Sequence, residues 1–515
     1  MIKTSILKII LVGFLVVCSN RLLAQQKNAG DNEIIDIGSE RELFLNDFLV
    51  QKLSGQAELR LHHPVPREVV LKADAPWEGS GSGYFSVFKD GDLYRMYYRG
   101  MEVKRFNKSK SAEHPYYFCY AESNDGIHWR KPDVGIYEFE GSKKNNIVLA
   151  SGNFDGVALK LGDNAAMFKD ENMNASPDAR YKAFAFSSAP KGLFAFKSSD
   201  GIHWSLMSKE PVITDGAFDS QNIGFYDVVN KEYRAYWRIF VNGVRSIRTA
   251  TSDDFIHWKN HLDLKFTDTA HIQLYTNQIK PYYRAPRLLI GFPTRYIDRG
   301  WSESMRELPE LKYREQRSSV SAREGTAITE GIIMSSLDGV TFERWKETFL
   351  RPGLERTGTW NYGQQYIAWN MAETRSSLEG APNEISIYAT EDYKSDQPIG
   401  TRLRRYTIRA DGFVSVNAPL NGGSLVTRPV TFQGSKLTLN FSSSAAGSIQ
   451  VEIQDLNGQP LNGFSLEDCP AIFGDTLERT VHWKNGDDVS SLAGKPVKLL
   501  FVLKDADLYS FQFQK

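Results

Sequence analysis

A chain of 515 residues, 41% hydrophobic and 24% charged, can bury more than one core, and this composition excludes a largely disordered protein. Its 62 basic and 62 acidic residues cancel without a long run of either sign, which excludes the basic footprint of a nucleic-acid-binding protein. The aromatic content is 12%, with 10 Trp and 23 Tyr, which suits both core packing and stacking on sugar rings.

In chain order, the first segment places Lys3 and Lys8 before an apolar run from Ile9 to Val17, then small and polar residues to Ala24. This predicts an export signal over residues 1–24, cut near Ala24, and a mature protein in the periplasm or outside the cell. The apolar run is too short to span a bilayer. Val17 stands before Cys18, where lipid attachment wants a small residue. Cys119 and Cys469 fall in different predicted domains and read as buried free thiols.

From residue 25 to 402 the chain reads as strands. SGYFSVF, DLYRMYYRG, YYFCYAES, YKAFAFSS, LFAFKSS, IGFYDVV, EYRAYWRIFV, RSIRTATS, RLLIGFPTRY and EISIYAT alternate or are rich in β-branched and aromatic residues. Four strand-like runs end in nearly the same phrase: AESNDGIHW at 121–129, KSSDGIHW at 197–204, ATSDDFIHW at 250–258 and MSSLDGVTF at 334–342; YATEDY at 388–393 is a weaker fifth copy. A phrase that returns every 54 to 84 residues after alternating apolar positions is the mark of radial β repetition, and five copies predict a five-bladed β-propeller. Asp125, Asp200, Asp254 and Asp338 read as structural, because Asp followed by Gly bonds its own downstream amides in a tight turn. The aromatic residue after each is expected to pack on the neighbouring blade.

No long amphipathic helix is predicted outside the signal. Between Tyr296 and Gly325 the strands give way to a charged stretch, read either as a rim or lid inserted in the fourth blade or as a disordered excursion. Over 403–515 the phrase disappears, and short alternating strands with Gly and Asn turns predict a C-terminal β-sandwich. No exposed aromatic stripe is readable in it, so its expected role is packing rather than carbohydrate binding.

Chemistry in such a ring is expected where the innermost strands converge, near 80–88, 163–169, 218–226, 272–280 and 360–369. Breaking a glycosidic bond needs one carboxylic acid to protonate the leaving oxygen and one carboxylate to attack or to activate water. The candidate acids are Asp219 in FDSQN, Glu78 in the Gly-rich PWEGSGSGYF and Asp163 in GDNAAMF, with Glu330 and Asp47 in reserve. Each also reads as a turn or structural carboxylate. Trp77, Tyr275, Asn277, Asn361 and Tyr362 are candidates for sugar contact. Arg99, Arg238, Arg287 and Arg295 would bind hydroxyls or an acidic sugar substituent, or form structural ion pairs. His62 and His63 have no second cluster at ligand spacing, so no metal site is expected. No nucleophile elbow, phosphate loop or dinucleotide fingerprint occurs. No cofactor is expected; a structural calcium ion in the channel would be unreadable in the sequence.

On the phrases AESNDGIHW, KSSDGIHW and ATSDDFIHW, and on a propeller followed by a sandwich, residues 40–515 resemble the five-bladed propeller glycoside hydrolases of families 32, 43, 68, 117 and 130. The RDP and EC phrases of family 32 are absent, and NDF stands at 46–48. The resemblance implies three acids from early blades, matching Glu78, Asp163 and Asp219 in type. The phrases also resemble sialidase Asp boxes, although Gly here directly follows Asp. The expected function is an exported glycosidase acting on a poly- or oligosaccharide. A non-catalytic carbohydrate-binding propeller, or a lyase or sialidase-like enzyme, is the alternative.

Overall fold

The computed structural model describes residues 33–103, 114–395 and 400–515; the predicted export signal lies outside them. The described chain is nearly all β and divides into two units, one formed by His63–Ala410 and the other by the segment before His63 together with Asp411–Lys515.

In the His63–Ala410 unit the strands form consecutive antiparallel groups. The first holds Gly83–Asp90, Leu93–Gly100, Tyr117–Ser123 and Ile147–Ala150. The second holds Val157–Lys169, Tyr181–Ala189 and Lys191–Ser198, with short strands at both edges. The third holds Ile223–Asp227, Glu232–Val241, Val244–Ser252 and Trp258–Asp263. The stretch 265–344 contributes two sheets, one built on Ala285–Gly291 and Met334–Ser336, the other on Thr294–Asp298 and Ala327–Gly331. The last group holds Ala372–Thr374, Glu384–Glu391, Arg402–Ile408 and Val65–Lys72.

That last group corrects the domain boundary expected at 402. Arg402–Ile408 pairs with Glu384–Glu391 on one side and Val65–Lys72 on the other, so the unit's first strand and its last share one sheet. The backbone hydrogen bonds of 402–408 are thus spent within this unit. The sequence window saw alternation there but not its partner. Likewise the N-terminal strands Val50–Gly55 and Glu58–Leu61 pair with Gly423–Thr427 and Val414–Ala418, placing 33–62 in the other unit. In that unit Lys436–Gln454 and Lys498–Gln514 run antiparallel along most of their length, burying Leu437, Leu439, Phe441, Phe501, Phe511 and Phe513.

The repeated phrase forms the same turn four times. In the first copy, Asp125 Oδ1 accepts from the amides of Ile127 and His128 at 2.8 Å each, Oδ2 meets the His128 ring, and Ser123 Oγ donates to the same carboxylate. Asp200 and Asp254 repeat the whole set, and Asp338 repeats the two amide bonds and the Ser bond. The residue after each Asp lies in the left-handed region, at φ +73° in Gly126, +80° in Gly201 and +73° in Gly339. Phe255 fills this position in the third copy at φ +69°, a strained choice for a bulky residue, and stacks on Phe184 of the second group at 4.5 Å. In the other three copies a buried tyrosine of another group donates to the carbonyl of the same Gly: Tyr388 of the last group to Gly126 (2.6 Å), Tyr97 of the first to Gly201 (3.0 Å) and Tyr236 of the third to Gly339 (2.9 Å). The closing aromatic packs on that same other group, Trp129 on Tyr388, Trp204 on Tyr97, Trp258 on Phe184 and Phe342 on Tyr236. Asp392 in the fifth copy is buried, ion-paired to Arg402, and itself sits at φ +57°, so this copy is not the same turn.

The charged stretch at 296–325 is ordered, with helices at Glu303–Glu307, Leu311–Val320 and Arg323–Thr326. Leu311–Val320 is a ten-residue helix without an apolar stripe, which is why the sequence pattern gave no sign of it: its buried residues are Tyr313, Arg314 and Arg317. Those arginines are met by carbonyls, and Arg317 also by the Glu324 carboxylate. Arg314 donates to the carbonyls of Pro309, Thr359 and Trp360, and Arg317 to that of Lys394.

Tyr236→Phe removes only the hydroxyl that reaches Gly339. It is expected to lower stability by about 1 kcal/mol, read as an earlier midpoint in denaturant unfolding; an unchanged midpoint would show that this bond does not join the two groups.

Candidate functional site

The inner segments of the strand groups are irregular, because they leave the ladder before reaching the site. Tyr84 (φ +54°), Gln278 (φ +46°), Trp360 (φ +59°) and Gln365 (φ +57°) all take left-handed backbone here, a concentration of strain typical of sites. The backbone groups freed from the ladder are met by buried amides. Gln221 Nε2 donates to the Tyr84 carbonyl (3.1 Å) and to Ser86 Oγ (3.0 Å), and Gln278 Nε2 donates to Gln221 Oε1 (2.5 Å). Asn277, expected to touch sugar, instead donates to the carbonyls of Gln221 and Tyr236, both at 3.4 Å.

Six tyrosines from these segments and their flanks form one buried cluster: Tyr84, Tyr275, Tyr296, Tyr362, Tyr366 and Tyr393. Tyr366 stacks between Tyr84 (6.2 Å) and Tyr275 (5.5 Å), and the Tyr362 hydroxyl donates to that of Tyr275 at 2.6 Å. Gly363 has no side chain because the Tyr393 ring lies where a Cβ would be. Burial pushes the hydroxyls of Tyr84, Tyr362 and Tyr366 well above the ordinary tyrosine range, and their negative or tyrosine neighbours add to the rise, so all three are proton donors at any ordinary pH.

A ring of cations lies against this layer. Arg99 sits 4.7 Å from the Tyr84 ring, Arg238 5.1 Å from Tyr275, Arg245 4.8 Å from Tyr296, and Arg323 and Lys394 5.5 and 5.6 Å from Tyr362. Three carboxylates stand among them. Asp163 Oδ2 is 3.4 Å from Arg99, Asp219 is ion-paired to Arg238, and Glu324 pairs with Arg317 (3.0 Å) and Lys394 (3.5 Å). Asn164 Nδ2 donates both to Asp163 Oδ1 (3.0 Å) and to the carbonyl of Phe218 (2.5 Å), the residue before Asp219, and so ties the backbone stretches that carry the two acids. Asp219 is exposed and Asp163 half-buried. Burial opposes the charge on Glu324, but Lys394 and Arg317 outweigh it and hold the carboxyl at about 2.

Other candidates fall elsewhere. Glu78 is fully buried, accepting from the Tyr98 hydroxyl (2.5 Å) and the Ala75 amide (3.0 Å) and paired with Lys131 (2.6 Å), which makes it a core ion rather than a reagent. Trp77 donates to Asn146 Oδ1 and packs on Phe139 in the same core. Glu330 is register partner of Arg295 and bonds it; alternation sends Tyr296 and Ala327 to the tyrosine side, hence Arg295 and Glu330 to the other. Asp47 is exposed on the other unit. Arg287 is half-buried on Ala285–Gly291, outside the inner segment. Asn361 bonds Glu310 and so ties the helical insertion to the inner stretch. The sequence reading missed Tyr84, Tyr366 and Tyr393, hidden among aromatic strand residues, and Arg245, Arg323, Glu324 and Lys394. The charge-rich SAREG at the end of the flagged insertion was the available signal for two of these. Among the described residues no group of three or more His, Cys, Asp or Glu side chains gathers as a metal site, and no helix is long and apolar enough to cross a membrane.

No family model matches the sequence, and no curated protein matches it. Similar solved structures include a putative glycoside hydrolase from Bacteroides ovatus, 14% identical over 70% of this chain and 99% of that one, at a TM-score of 0.42. Another is a family 43 arabinoxylan arabinofuranohydrolase from Bacillus subtilis in complex with cellotetraose, 11% identical over 88% of this chain and 99% of that one, at 0.38. A third is a fructofuranosidase variant from Schwanniomyces occidentalis complexed with fructosylnystose, 12% identical over 88% of this chain and 98% of that one, at 0.37. Likeness of this order carries no activity across.

Glu78→Gln removes the buried carboxylate that Lys131 pairs with, leaving that lysine to Asp74 and the Lys72 carbonyl, and is expected to cost about 3 kcal/mol of stability, seen as a lower melting temperature, with ligand affinity of the folded protein unchanged. Weakened affinity at an unchanged melting temperature would return Glu78 to the site. Because the Glu324 carboxyl is depressed to about 2, its stabilisation is full above the unfolded value of about 4.3 and is lost as pH falls toward 2. Thermal melts across pH should therefore show a shallower acid limb for Glu324→Gln than for the wild type, and identical limbs would refute the assignment.

Proposed function

We propose that the His63–Ala410 unit is a five-bladed β-propeller, one strand group to a blade with 265–344 as the fourth, and that the other unit is a β-sandwich. In this reading the chain is an exported glycoside hydrolase acting on a poly- or oligosaccharide at the tyrosine layer. The observation that carries it is Asn164, whose amide bonds both Asp163 Oδ1 and the carbonyl of Phe218, the residue before Asp219, so that the stretches of two strand groups bearing these acids are tied together. Glycosidic cleavage asks for two carboxylates on one sugar. One of the pair protonates the leaving oxygen, and the other attacks the anomeric carbon or activates water. Arg99 and Arg238 orient the two carboxylates. The protonated hydroxyls of the tyrosine layer donate to sugar hydroxyls, and its ring faces take the apolar side of the sugar.

The test is release of reducing sugar from a polysaccharide panel. Asp163→Asn and Asp219→Asn are each expected to cost about 10²–10⁴-fold in kcat, the usual worth of a general acid or base, with melting temperatures held. Full activity in both variants would overturn the assignment. Binding without release by the wild type would favour a carbohydrate-binding propeller instead.

A further inference from the structure

We infer that the sugar accepted here bears an anionic substituent, a carboxylate or a sulfate ester, seated by Arg238, Arg245 and Arg323 beside Tyr275; this rests on the reading of the tyrosine layer as the sugar site. The three guanidinium groups come from three elements. Arg238 lies on Glu232–Val241, Arg245 on the next strand Val244–Ser252, and Arg323 on the helical insertion. Arg238 and Arg245 stand 5.1 and 5.5 Å from the Tyr275 ring, and Arg323 stands 5.5 Å from Tyr362, whose hydroxyl is bonded to that of Tyr275.

The charges around these tyrosines do not balance. Asp219 is the one carboxylate paired with any of the three among the described residues, while Asp163 is committed to Arg99 and Glu324 to Arg317 and Lys394. Arg245 and Arg323 have no ion-pair partner among the described residues, and both are half-buried. Arg238 is only 3% exposed, yet its Nε and Nη1 donate to nothing among the described residues. Arg245 Nη1 bonds Gln273 Oε1 at 3.1 Å, and its Nε is likewise unpartnered. A buried donor without an acceptor is costly, and a guanidinium with free N–H groups is the side chain best matched to an oxyanion. Neutral hydroxyls would satisfy the geometry and leave the charge. Phe240, 50% exposed, lies 5.5 and 5.4 Å from Arg238 and Arg245 and offers an apolar face for the ring that carries the anion.

The experiment measures calorimetric affinities on matched probes: uronic-acid oligosaccharides against the same chains after carboxyl reduction, and sulfated against desulfated oligosaccharides. In at least one pair the charged member is expected to bind about 100-fold tighter, as for one or two charge-assisted hydrogen bonds, with the ratio falling as salt is added. Preference confined to the uronic pairs identifies a carboxylate, and preference confined to the sulfated pairs a sulfate ester. Arg245→Gln and Arg323→Gln, from separate elements, should each erode the ratio about tenfold or more, while Arg245→Lys retains part of it. Equal affinity within every pair, no binding of any charged probe, or a ratio untouched in both well-folded Gln variants overturns the inference. Sugar release is scored separately. Charged-probe binding without release keeps the inference and removes the hydrolase reading, whereas release from neutral probes with no charge preference does the reverse.

Discussion

The architecture of the His63–Ala410 unit depends on one hydrogen-bonded lock. An Asp carboxylate accepts two amides of its own turn, which holds the next residue in the left-handed region and turns its carbonyl outward. That carbonyl is where another strand group attaches, through a buried tyrosine hydroxyl in three of the four copies. A sheet edge in water has no reason to prefer one neighbour. A buried hydroxyl that must find an acceptor does, because an unsatisfied polar group inside the protein costs more than the bond is worth. In the third copy, where Phe255 replaces Gly, aromatic stacking on Phe184 does the joining and offsets the backbone strain. The pairing of Val65–Lys72 with Arg402–Ile408 then fixes the unit's beginning to its end.

Each joint lies at one end of its strand group, which leaves the other end free to be irregular. There the chain abandons regular pairing, Gln221 and Gln278 satisfy the exposed backbone, and tyrosines can be laid over them. The resulting layer is buried, aromatic and rich in protonated hydroxyls. The cations packed on it are held partly by ring faces and partly by carboxylates. Since cation–π contact leaves the net charge in place, the layer stays electropositive wherever a carboxylate is lacking.

The helical insertion belongs to this logic. A ten-residue helix with two buried arginines and no apolar stripe has little reason to form alone. Carbonyls at Thr359, Trp360 and Lys394, close in sequence to Tyr362 and Tyr393, accept from those arginines, and Pro309 within the insertion accepts from Arg314, so the helix is stabilised largely by its docking. Arg323 and Glu324 reach the site as a consequence of that docking.

By itself the sequence determined the β character and the four turns with their spacing, because these depend on local rules of alternation and Asp-Gly turn chemistry, and it named Asp163 and Asp219 as candidate acids. It could not separate them from Glu78, which has the same kind of Gly-rich setting and is disqualified only by Tyr98 and Lys131, 20 and 53 residues away. It could not choose the face on which Glu330 lies, since a strand's alternation names two faces without saying which is inward. Strand partnership at 402–408, the helix at 311–320 and the three-arginine cluster at Tyr275 were decided by tertiary structure alone. In each case the deciding partner is remote in the chain, where no local pattern records it.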